Sequence, residues 1–249
     1  MPEHLELSDS QRQIVQYERL DRHMLVIAPP GSGKTHTISQ RIAWLLNSGH
    51  AQPDEILALT YTNKAGNELK DRIARMASPH VHASTMHSWS FDFLREHGNE
   101  LGLPDGFQVC DEFRRADIIR LALQAAGYDQ VDDIEVQQVA KWISQRKSNP
   151  SVPPLQRVAF RPDIMETVES SYRHQLQNQG LLDFEDLIWL AGQLLWEQPE
   201  IADPLHERIR FVFVDEYHDL SPDQFRLLSA IVPGRKPGRQ LLEIGRAHV

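Results

Sequence analysis

Ala28-Pro29-Pro30-Gly31-Ser32-Gly33-Lys34-Thr35 directly follows the apolar run Met24–Ile27. The apolar run predicts a buried strand, and the small residues after it predict a turn that leads into a helix beginning at Lys34 and Thr35. Backbone N–H groups at the start of such a helix converge on a bound anion. The stretch departs from the pattern GxxxxGK[ST] only at Ala28, where a glycine is usual. We therefore predict that residues 28–35 form a phosphate-binding loop.

The last two residues of this predicted loop have separate expected roles. Lys34 would bridge the β- and γ-phosphates of a nucleoside triphosphate, and the Thr35 hydroxyl would bind Mg²⁺. The following helix has one apolar face, formed by Ile38, Ile42, Leu45 and Leu46. The alternative is an ordinary glycine-rich turn between a strand and a helix, which the combined context disfavours.

A second candidate site lies far downstream, at Asp215 and Glu216. These acids follow Phe211–Val214, an apolar run that predicts a central parallel strand. Ligands of α/β proteins bind at the carboxyl ends of such strands. Asp215 would hold Mg²⁺, mostly through water, while Glu216 would orient and deprotonate the attacking water. The alternative is a solvated strand end.

Two further apolar runs, Ile56–Thr60 and Val81–Thr85, lie between these sites and predict additional strands. Strands that alternate with helices predict an α/β fold, a RecA-like P-loop NTPase with a parallel sheet and helices on both faces. Polar and aromatic residues follow both runs. Hydroxyls and amides can hold phosphates while rings stack on bases, so a single-stranded nucleic acid is a candidate ligand.

Composition narrows the class of protein. Cys110 is the one cysteine among 249 residues, which excludes a disulfide framework and favours a reducing, cytoplasmic location. The polar start of the chain and the lack of a run of about 18 apolar residues argue against export and membrane insertion. Because the net charge is −9, any contact with nucleic acid must be made through a groove and not through the overall electric field of the protein.

Five ordered motifs resemble those of the N-terminal half of superfamily 1 helicases of the UvrD/Rep/PcrA type. They are Leu7–Gln11, Ala28–Thr35, Leu59–Ala65, Thr85–Trp89, and Val214–Asp219 with Gln224. Leu182–Leu187 also matches a stretch that these helicases carry before the last motif. The resemblance covers essentially residues 5–230. His218 stands where relatives usually have glutamine, and Tyr61 stands where they have phenylalanine.

The resemblance implies roles that the residues alone do not. Gln11 would read the adenine edge of ATP, and His36, which occupies a position where arginine is common, joins the nucleotide site. Contacts with single-stranded or partly duplex DNA would come from Thr60, Tyr61, Thr62, Asn63 and His87. The family couples ATP hydrolysis to 3′-to-5′ movement on DNA, in repair or replication restart, with ATP and Mg²⁺ as cofactors.

The same resemblance predicts the organisation of the chain. Residues 1–90 and 206–242 would form the ATP-binding domain 1A, with the second part truncated, and residues 91–205 an inserted all-α subdomain, 1B. Residues 243–249 resemble the translation of a widely used sequencing adapter. We therefore expect these last residues to be non-native.

Charged residues of the predicted insert have two possible roles. Lys141, Arg146 and Lys147 lie near one helix end. We favour a solvated helix face over contact with duplex phosphates. The acids Asp183, Glu185 and Asp186 are interpreted as helix capping and packing residues, and not as a metal or nuclease site.

Two alternatives to a helicase or translocase stay open. One is a RecB- or AddA-like helicase-nuclease subunit, and the other is an ATP-gated regulator that binds nucleic acid without stepping. The family's second RecA-like domain supplies arginine fingers, groups worth about 10³ to 10⁵ in rate for phosphoryl transfer. We expect the 249-residue chain to bind Mg-ATP weakly, to hydrolyse it slowly and not to unwind duplex.

Overall fold

The computed structural model describes residues 6–77, 80–128, 130–148, 162–232 and 240–245. The chain divides into two compact units. The first comprises Met1–Trp89 and Gly192–Val249, and the second comprises Ser90–Ala191. The second unit therefore interrupts the first in sequence.

Helices and strands follow the expected alternation through the first unit. The helices are α1 (Asp9–Val15), α2 (Lys34–Asn47), α3 (Asn63–Met76), α4 (Met86–His97), α5 (Glu112–Ala125), α6 (Asp133–Ser148), α7 (Pro162–Asn178), α8 (Phe184–Glu197), α9 (Pro199–Arg208) and α10 (Pro222–Ile231). The strands are β1 (Met24–Ile27), β2 (Ile56–Thr60), β3 (His82–Thr85), β4 (Gln108–Val109), β5 (Leu181–Leu182), β6 (Phe211–Asp215) and β7 (Gln240–Gly245).

The first unit contains a parallel sheet with the strand order β1-β7-β6-β2-β3. Because every strand runs in the same direction, the loops that follow β1, β2, β3 and β6 leave from one edge of the sheet. These loops carry the candidate site residues. The topology therefore gathers segments that are distant in sequence, as an open α/β sheet does.

Both faces of this sheet are covered. On one face, α2 and α3 pack through Ile38, Ile42 and Ile73 against a core that includes Phe211 and Phe213. Side chains that point to the opposite face are also buried, namely Leu57, Leu59, Val212 and Val214. The predicted RecA-like architecture, with helices on both faces of a parallel sheet, is confirmed.

Close packing of α3 on the sheet depends on Gly66. A Cβ atom at this position would lie 3.2 Å from Thr60 Oγ1 and 3.5 Å from Ser84 Cα. The distance to Thr60 Oγ1 is tighter than most Cβ contacts, whereas the distance to Ser84 Cα is an ordinary van der Waals contact. Gly66 therefore allows the helix to approach the carboxyl ends of β2 and β3.

The strand β1 is less buried than we predicted. It lies at an edge of the sheet, and Leu25 and Ile27 are 58% and 62% exposed. The strands β2 and β6, by contrast, are buried at every position. An apolar run cannot distinguish an edge strand from a central one, because both use the same residue types.

The strand β7 lies between β1 and β6 and extends through residues 243–245. Ile244 pairs with Val26 on one side and with Asp215 on the other. The predicted boundary at residue 243 therefore falls inside a regular strand. The adapter origin of the last residues stays a prediction, and residues 246–249 lie outside the described part of the chain.

The second unit has its own core, built mainly from α5, α6 and α7 around Ile119, Val139, Trp142 and Val168. It was predicted to be all-α, but it also contains a short parallel pair formed by β4 and β5. The second compact unit ends at Ala191, within α8, and the predicted end of the insert at residue 205 stays a prediction.

Lys147 is the centre of a polar cluster inside this second unit. Its Nζ lies 2.5 Å from Asp183 Oδ2 and 2.7 Å from Asp186 Oδ1. Tyr172 also donates to Asp183, whose Oδ1 accepts from the Asp186 N–H and so caps α8. Burial alone would raise the pKa of Asp183, but the Lys147 charge and the hydrogen bonds hold that pKa at about 2.

These contacts correct the interpretation of the basic helix end. Arg146 binds Glu169 at 3.0 Å, and Lys147 is largely buried with its two acids, so neither forms a solvated face. Only Lys141 is exposed as expected. The capping role of Asp183 is confirmed, although we predicted it without the lysine partner that the fold supplies.

Replacing Lys147 by methionine leaves two buried carboxylates without their cation. Breaking a buried ion pair from one side typically costs about 3–5 kcal/mol, so we expect Lys147→Met to lower the free energy of unfolding by that amount. Chemical denaturation monitored by circular dichroism measures it. Lys141→Met, on the exposed side of the same helix, is the control and should change stability by less than about 0.5 kcal/mol. Equal effects of both changes would contradict a structural role for the cluster.

Candidate nucleotide and nucleic-acid site

The candidate phosphate loop begins with a tight turn. Ser32 N–H donates to Pro29 O at 3.3 Å, and Gly31 has a φ of 74°. Proline at the second position and a glycine with positive φ at the third are the requirements of a type II turn. Ala28 lies before this turn, where its N–H donates to Gly245 O. The substitution of the usual glycine by alanine therefore falls outside the turn itself.

The helix α2 presents an open N-terminus to this loop. Its N-cap residue is Gly33, with a φ of 79°, and no side chain in the described structure caps the helix. The first N–H groups of a helix have no partners within it. Lys34 and Thr35 are the first two helical residues. This end of α2 is therefore available for an anion, as the sequence predicts.

The two distant parts of the candidate site meet. Thr35 Oγ1 donates to Asp215 Oδ2 at 2.7 Å, and Lys34 Nζ lies 3.5 Å from Glu216 Oε1. The residues that we expected to share one Mg²⁺-bound triphosphate are thus in direct contact. Their convergence, on which the interpretation as an NTPase depends, is confirmed.

Glu216 has an unusual backbone conformation. Among the described non-glycine residues it alone has a positive φ, 54°. A non-glycine residue in this region costs energy and often marks a functional position. The conformation turns the chain directly after β6, so that Glu216 Oε1 faces Lys34 while Oε2 lies 3.5 Å from His218 Nδ1. His218 therefore contacts the candidate catalytic acid.

Asp215 is buried, with 7% of its surface exposed. Burial raises the pKa of this carboxyl, although the hydrogen bond from Thr35 acts in the opposite direction. The charged form is thus disfavoured in the isolated chain. A bound cation would reverse this effect, because it attracts the charged form.

Gln11 connects α1 to the phosphate loop. Its Nε2 donates to Ser32 O at 3.0 Å, and its Oε1 accepts from the Ser8 N–H. A primary amide has two donors and two acceptor lone pairs, so one of each stays available. A donor beside an acceptor matches the edge of adenine, which offers an amino group next to a ring nitrogen.

His36 and Ser32 have buried polar atoms near this loop. Neither His36 Nε2 nor Ser32 Oγ has a hydrogen-bond partner within the described part of the chain. Buried polar groups are nearly always paired in native proteins, so such atoms indicate a missing ligand or water. Pro29, Pro30 and Gly31 are exposed at the surface of the loop.

The candidate nucleic-acid residues follow β2 and β3. Tyr61 is 61% exposed, Thr62 caps α3 by accepting from the Ala65 N–H, and Asn63 Oδ1 accepts from Ser88 Oγ at 3.1 Å. His87 is half-buried in the first turn of α4. Ser88, which joins the two loops, was not predicted from the sequence to have a role. The feature of the sequence that could have indicated this role is a hydroxyl residue in the first turn of α4.

Thr60 differs from the other predicted contacts. It is 5% exposed, and its hydroxyl donates to Thr62 O at 3.0 Å. A buried and internally bonded hydroxyl supports the loop and does not face a ligand. The structure gives Thr60 a supporting role in the loop, and a direct nucleic-acid contact at Thr60 stays a prediction.

A small cavity adjoins both parts of the site. Its walls are formed by Leu59, Thr60, Tyr61, Thr85, Met86, His87, Val214, Asp215, Leu220 and Gln224. The candidate metal ligand Asp215 and the candidate nucleic-acid residues Tyr61 and His87 thus border one space.

Comparison with known proteins identifies the family. The family described as UvrD/REP helicase N-terminal domain matches residues 7–245. The chain belongs to this family. It is 30% identical over 214 residues to the ATP-dependent DNA helicase PcrA of Staphylococcus aureus and to that of Staphylococcus epidermidis. These matches cover 84% of the chain but 29% of each relative.

The residues present fit the ATP and Mg²⁺ that UvrD/REP proteins use in general. Thr35 and Asp215 offer adjacent oxygens, and the open end of α2 suits a phosphate. The described residues contain no group of three or more histidine, cysteine or acidic side chains arranged for a metal. Mg²⁺ usually takes one or two carboxylates together with phosphate and water.

The described helices were also compared with the requirements of a membrane span. None of them combines sufficient length with sufficient apolar character.

The buried charge of Asp215 predicts opposite effects on stability and on ligand binding. Because burial disfavours the carboxylate, we expect Asp215→Asn to keep or raise the thermal unfolding midpoint without ligand at pH 7. The stabilisation of the wild-type chain by Mg-ATP should be lost in the variant. Thermal unfolding with and without Mg-ATP measures both.

The matched control for this prediction is Asp71→Asn, on the exposed surface of α3. It should change neither the midpoint nor the ligand effect. A lower midpoint of Asp215→Asn without ligand, together with full stabilisation by Mg-ATP, would show that Asp215 is a structural residue and not a cation ligand.

Proposed function

We propose that the chain is the ATP-binding part of an ATP-dependent 3′-to-5′ DNA helicase or translocase. The observation that supports this most directly is the contact between Thr35 Oγ1 and Asp215 Oδ2 at 2.7 Å. It joins the two halves of a Mg²⁺-nucleotide site that the sequence places far apart. The family assignment supports ATP and DNA as the ligands.

In this proposal the phosphate loop binds the triphosphate through the N–H groups at the start of α2. Lys34 releases Glu216 and binds the β- and γ-phosphates, while Thr35 and Asp215 hold Mg²⁺. The ion supplies charge neutralisation for the transferred phosphoryl group. Freed from Lys34, Glu216 orients the attacking water and accepts its proton. Gln11 binds adenine, and His36 completes the nucleotide site.

DNA would bind along the loops that follow β2 and β3. Tyr61 offers an exposed ring for stacking on a base, and Thr62 and Asn63 offer polar atoms to the backbone. His87 would add a contact from the neighbouring loop. The cavity shared by Tyr61, His87 and Asp215 is the proposed path between strand binding and hydrolysis.

The chain spans under a third of the length of its PcrA relatives, so the activity of a whole protein is a proposal. We propose a role in DNA repair or replication restart and a cytoplasmic location. A helicase-nuclease subunit and an ATP-gated regulator are the competing outcomes. A nuclease motif in a longer polypeptide would favour the former, and function retained after loss of Glu216 would favour the latter.

Variants of Lys34 and Glu216 separate binding from chemistry. Lys34→Ala removes a charged donor to phosphate, an interaction worth about 1.5–3 kcal/mol, so Mg-ATP affinity should fall roughly 10- to 100-fold. Glu216→Gln keeps the shape of the side chain but not the base. It should bind Mg-ATP within about threefold of wild type while losing DNA-stimulated hydrolysis in a full-length polypeptide. Calorimetry measures the binding.

Lys70→Ala, an exposed change on α3, is the control for charge removal and should leave binding unchanged. If Lys34→Ala bound Mg-ATP as tightly as wild type, the nucleotide site would have to lie elsewhere. The isolated 249-residue chain is expected to hydrolyse ATP slowly whether or not DNA is added, and fast turnover would contradict that.

Tyr61 provides a test of the nucleic-acid surface. Stacking of one base on an aromatic ring is worth about 1–3 kcal/mol, so Tyr61→Ala should weaken binding of single-stranded DNA roughly 5- to 150-fold. Fluorescence anisotropy with a labelled oligonucleotide measures this. Trp196→Ala removes another exposed ring of the same unit and should have little effect. Equal losses in both variants would argue for nonspecific aromatic contacts.

A further inference from the structure

Arg41 is a fully buried cation that neither the phosphate chemistry nor the strand contacts use. It lies on α2, and its relative exposure is 0%. Its Nη1 donates to Val15 O at 2.8 Å, and its Nη2 donates to Gln240 Oε1 at 2.9 Å. The guanidinium also lies 4.7 Å from the ring centre of Trp44. Burial lowers the pKa of Arg41 to about 10, so the group is charged at neutral pH.

The charge is held without an acid. In the described part of the chain, no carboxylate lies within ion-pair distance of Arg41. The compensating groups are a helix end, a side-chain amide and an aromatic face. Val15 is the last residue of α1, where carbonyl groups lack partners and the helix dipole is negative. A guanidinium that donates here caps α1 from the neighbouring helix.

Burying a cation in this way costs free energy of folding, because the charge loses its contacts with water, unless the hydrogen bonds that it makes compensate for that loss. An apolar residue at position 41 would complete the face formed by Ile38, Ile42 and Leu45 without that cost. The planar guanidinium does what an apolar group cannot, because its two nitrogens reach two acceptors in fixed directions. These acceptors belong to α1 and β7.

A continuous series of contacts leads from Arg41 to the phosphate loop. Val15 lies one helical turn after Gln11, whose Nε2 donates to Ser32 O. Little space separates the Gln11 side chain from the phosphate loop, since a Cβ on Gly33 would lie 3.0 Å from Gln11 Nε2. A shift of α1 by a few tenths of an ångström would therefore move the Gln11 amide relative to the loop.

Gln240 extends the same network to the connection between α1 and β1. Its Nε2 donates to Arg19 O at 3.2 Å and to Arg22 O at 3.0 Å. Arg41 thus binds the end of α1 directly and the segment that follows α1 through Gln240. Both contacts restrain the helix that carries Gln11.

We propose that Arg41 is a positioning residue for base recognition: it fixes α1 against α2 so that Gln11 holds the adenine of a bound nucleotide. The proposal rests on the proposed function, because it requires ATP to bind at the phosphate loop. It assigns to Arg41 an effect on recognition of the base and none on recognition of the phosphates.

Two probes separate these parts of the site. Mg-ATP uses both the loop and Gln11, whereas Mg-tripolyphosphate can use only the loop. We expect the wild-type chain to prefer Mg-ATP, and Arg41→Met to lose about tenfold in ATP affinity, the worth of one or two hydrogen bonds. Its affinity for tripolyphosphate should stay within about twofold of wild type. Titration calorimetry on the 249-residue chain measures both.

Two further variants keep the test decisive. Arg41→Lys keeps the buried charge but loses the planar guanidinium whose two nitrogens reach two acceptors, so it should also lose ATP affinity selectively. It replaces Arg41→Met in the test if circular dichroism shows that Arg41→Met does not fold. Arg12→Met removes a guanidinium from the exposed side of α1 and should change neither affinity. The double variant Gln11→Ala/Arg41→Met should bind ATP within about twofold of Gln11→Ala, because Arg41 acts through Gln11.

Different results would overturn different statements. Equal losses for ATP and tripolyphosphate in folded Arg41 variants would show a structural role alone and reject the proposal. Unchanged ATP affinity, or losses in the double variant that simply add, would reject it as well. If the wild-type chain bound neither probe, the proposed function itself would fail. If the wild-type chain bound Mg-ATP and Mg-tripolyphosphate equally well, adenine recognition by this part of the chain would be rejected, but the phosphate site would still be supported.

Discussion

The candidate site depends on one contact, the hydrogen bond from Thr35 to Asp215, between residues 180 positions apart. For these residues to meet, β1 and β6 must run in parallel and end at the same edge of the sheet, with β7 between them. The insert must leave and re-enter the first unit without disturbing that order. The topology of the sheet is thus the physical condition for the site. A different strand order would separate the same residues without changing any motif.

The site is not the most stable arrangement that these residues could adopt. Asp215 is a buried acid with a raised pKa, Glu216 has a positive φ, and Ser32 and His36 keep buried polar atoms without partners in the described chain. Each feature costs energy in the absence of a ligand, and each concerns a group placed to meet phosphate, cation or water. A site formed in advance loses less energy in reorganisation when its ligand binds. The concentration of unfavourable features at this edge of the sheet supports its assignment as the nucleotide site.

Local patterns allowed most of the first unit to be predicted. The phosphate loop, β2, β6 and the apolar face of α2 are defined by residues close together in sequence, and all lie where expected. The failures involve partners that are distant in the chain. Lys147 meets Asp183 only after α6, β5 and α8 pack, so spacing alone gave no indication of the pair. Arg41 was missed although a charged residue on an apolar helix face was visible in the sequence. The predicted end of the insert at residue 205 stays a prediction, since the second compact unit ends within α8, a helix that continues without a break.

The position of the strand-end loops gives a physical reason for coupling between nucleotide and nucleic acid. β2 pairs with β6 on one side and β3 on the other, so the loop with Tyr61 lies beside Asp215 and beside the start of α4. Gly66 allows α3 to approach these strand ends closely, and Ser88 joins Asn63 to Thr85 by hydrogen bonds. Packed groups of this kind cannot move far independently, because interiors contain little free space. Rearrangement of Asp215 around a bound nucleotide would therefore displace the wall that it shares with Tyr61 and His87. Under the proposed function, the ligand state at one loop would change the geometry of the next without a separate transmitting element.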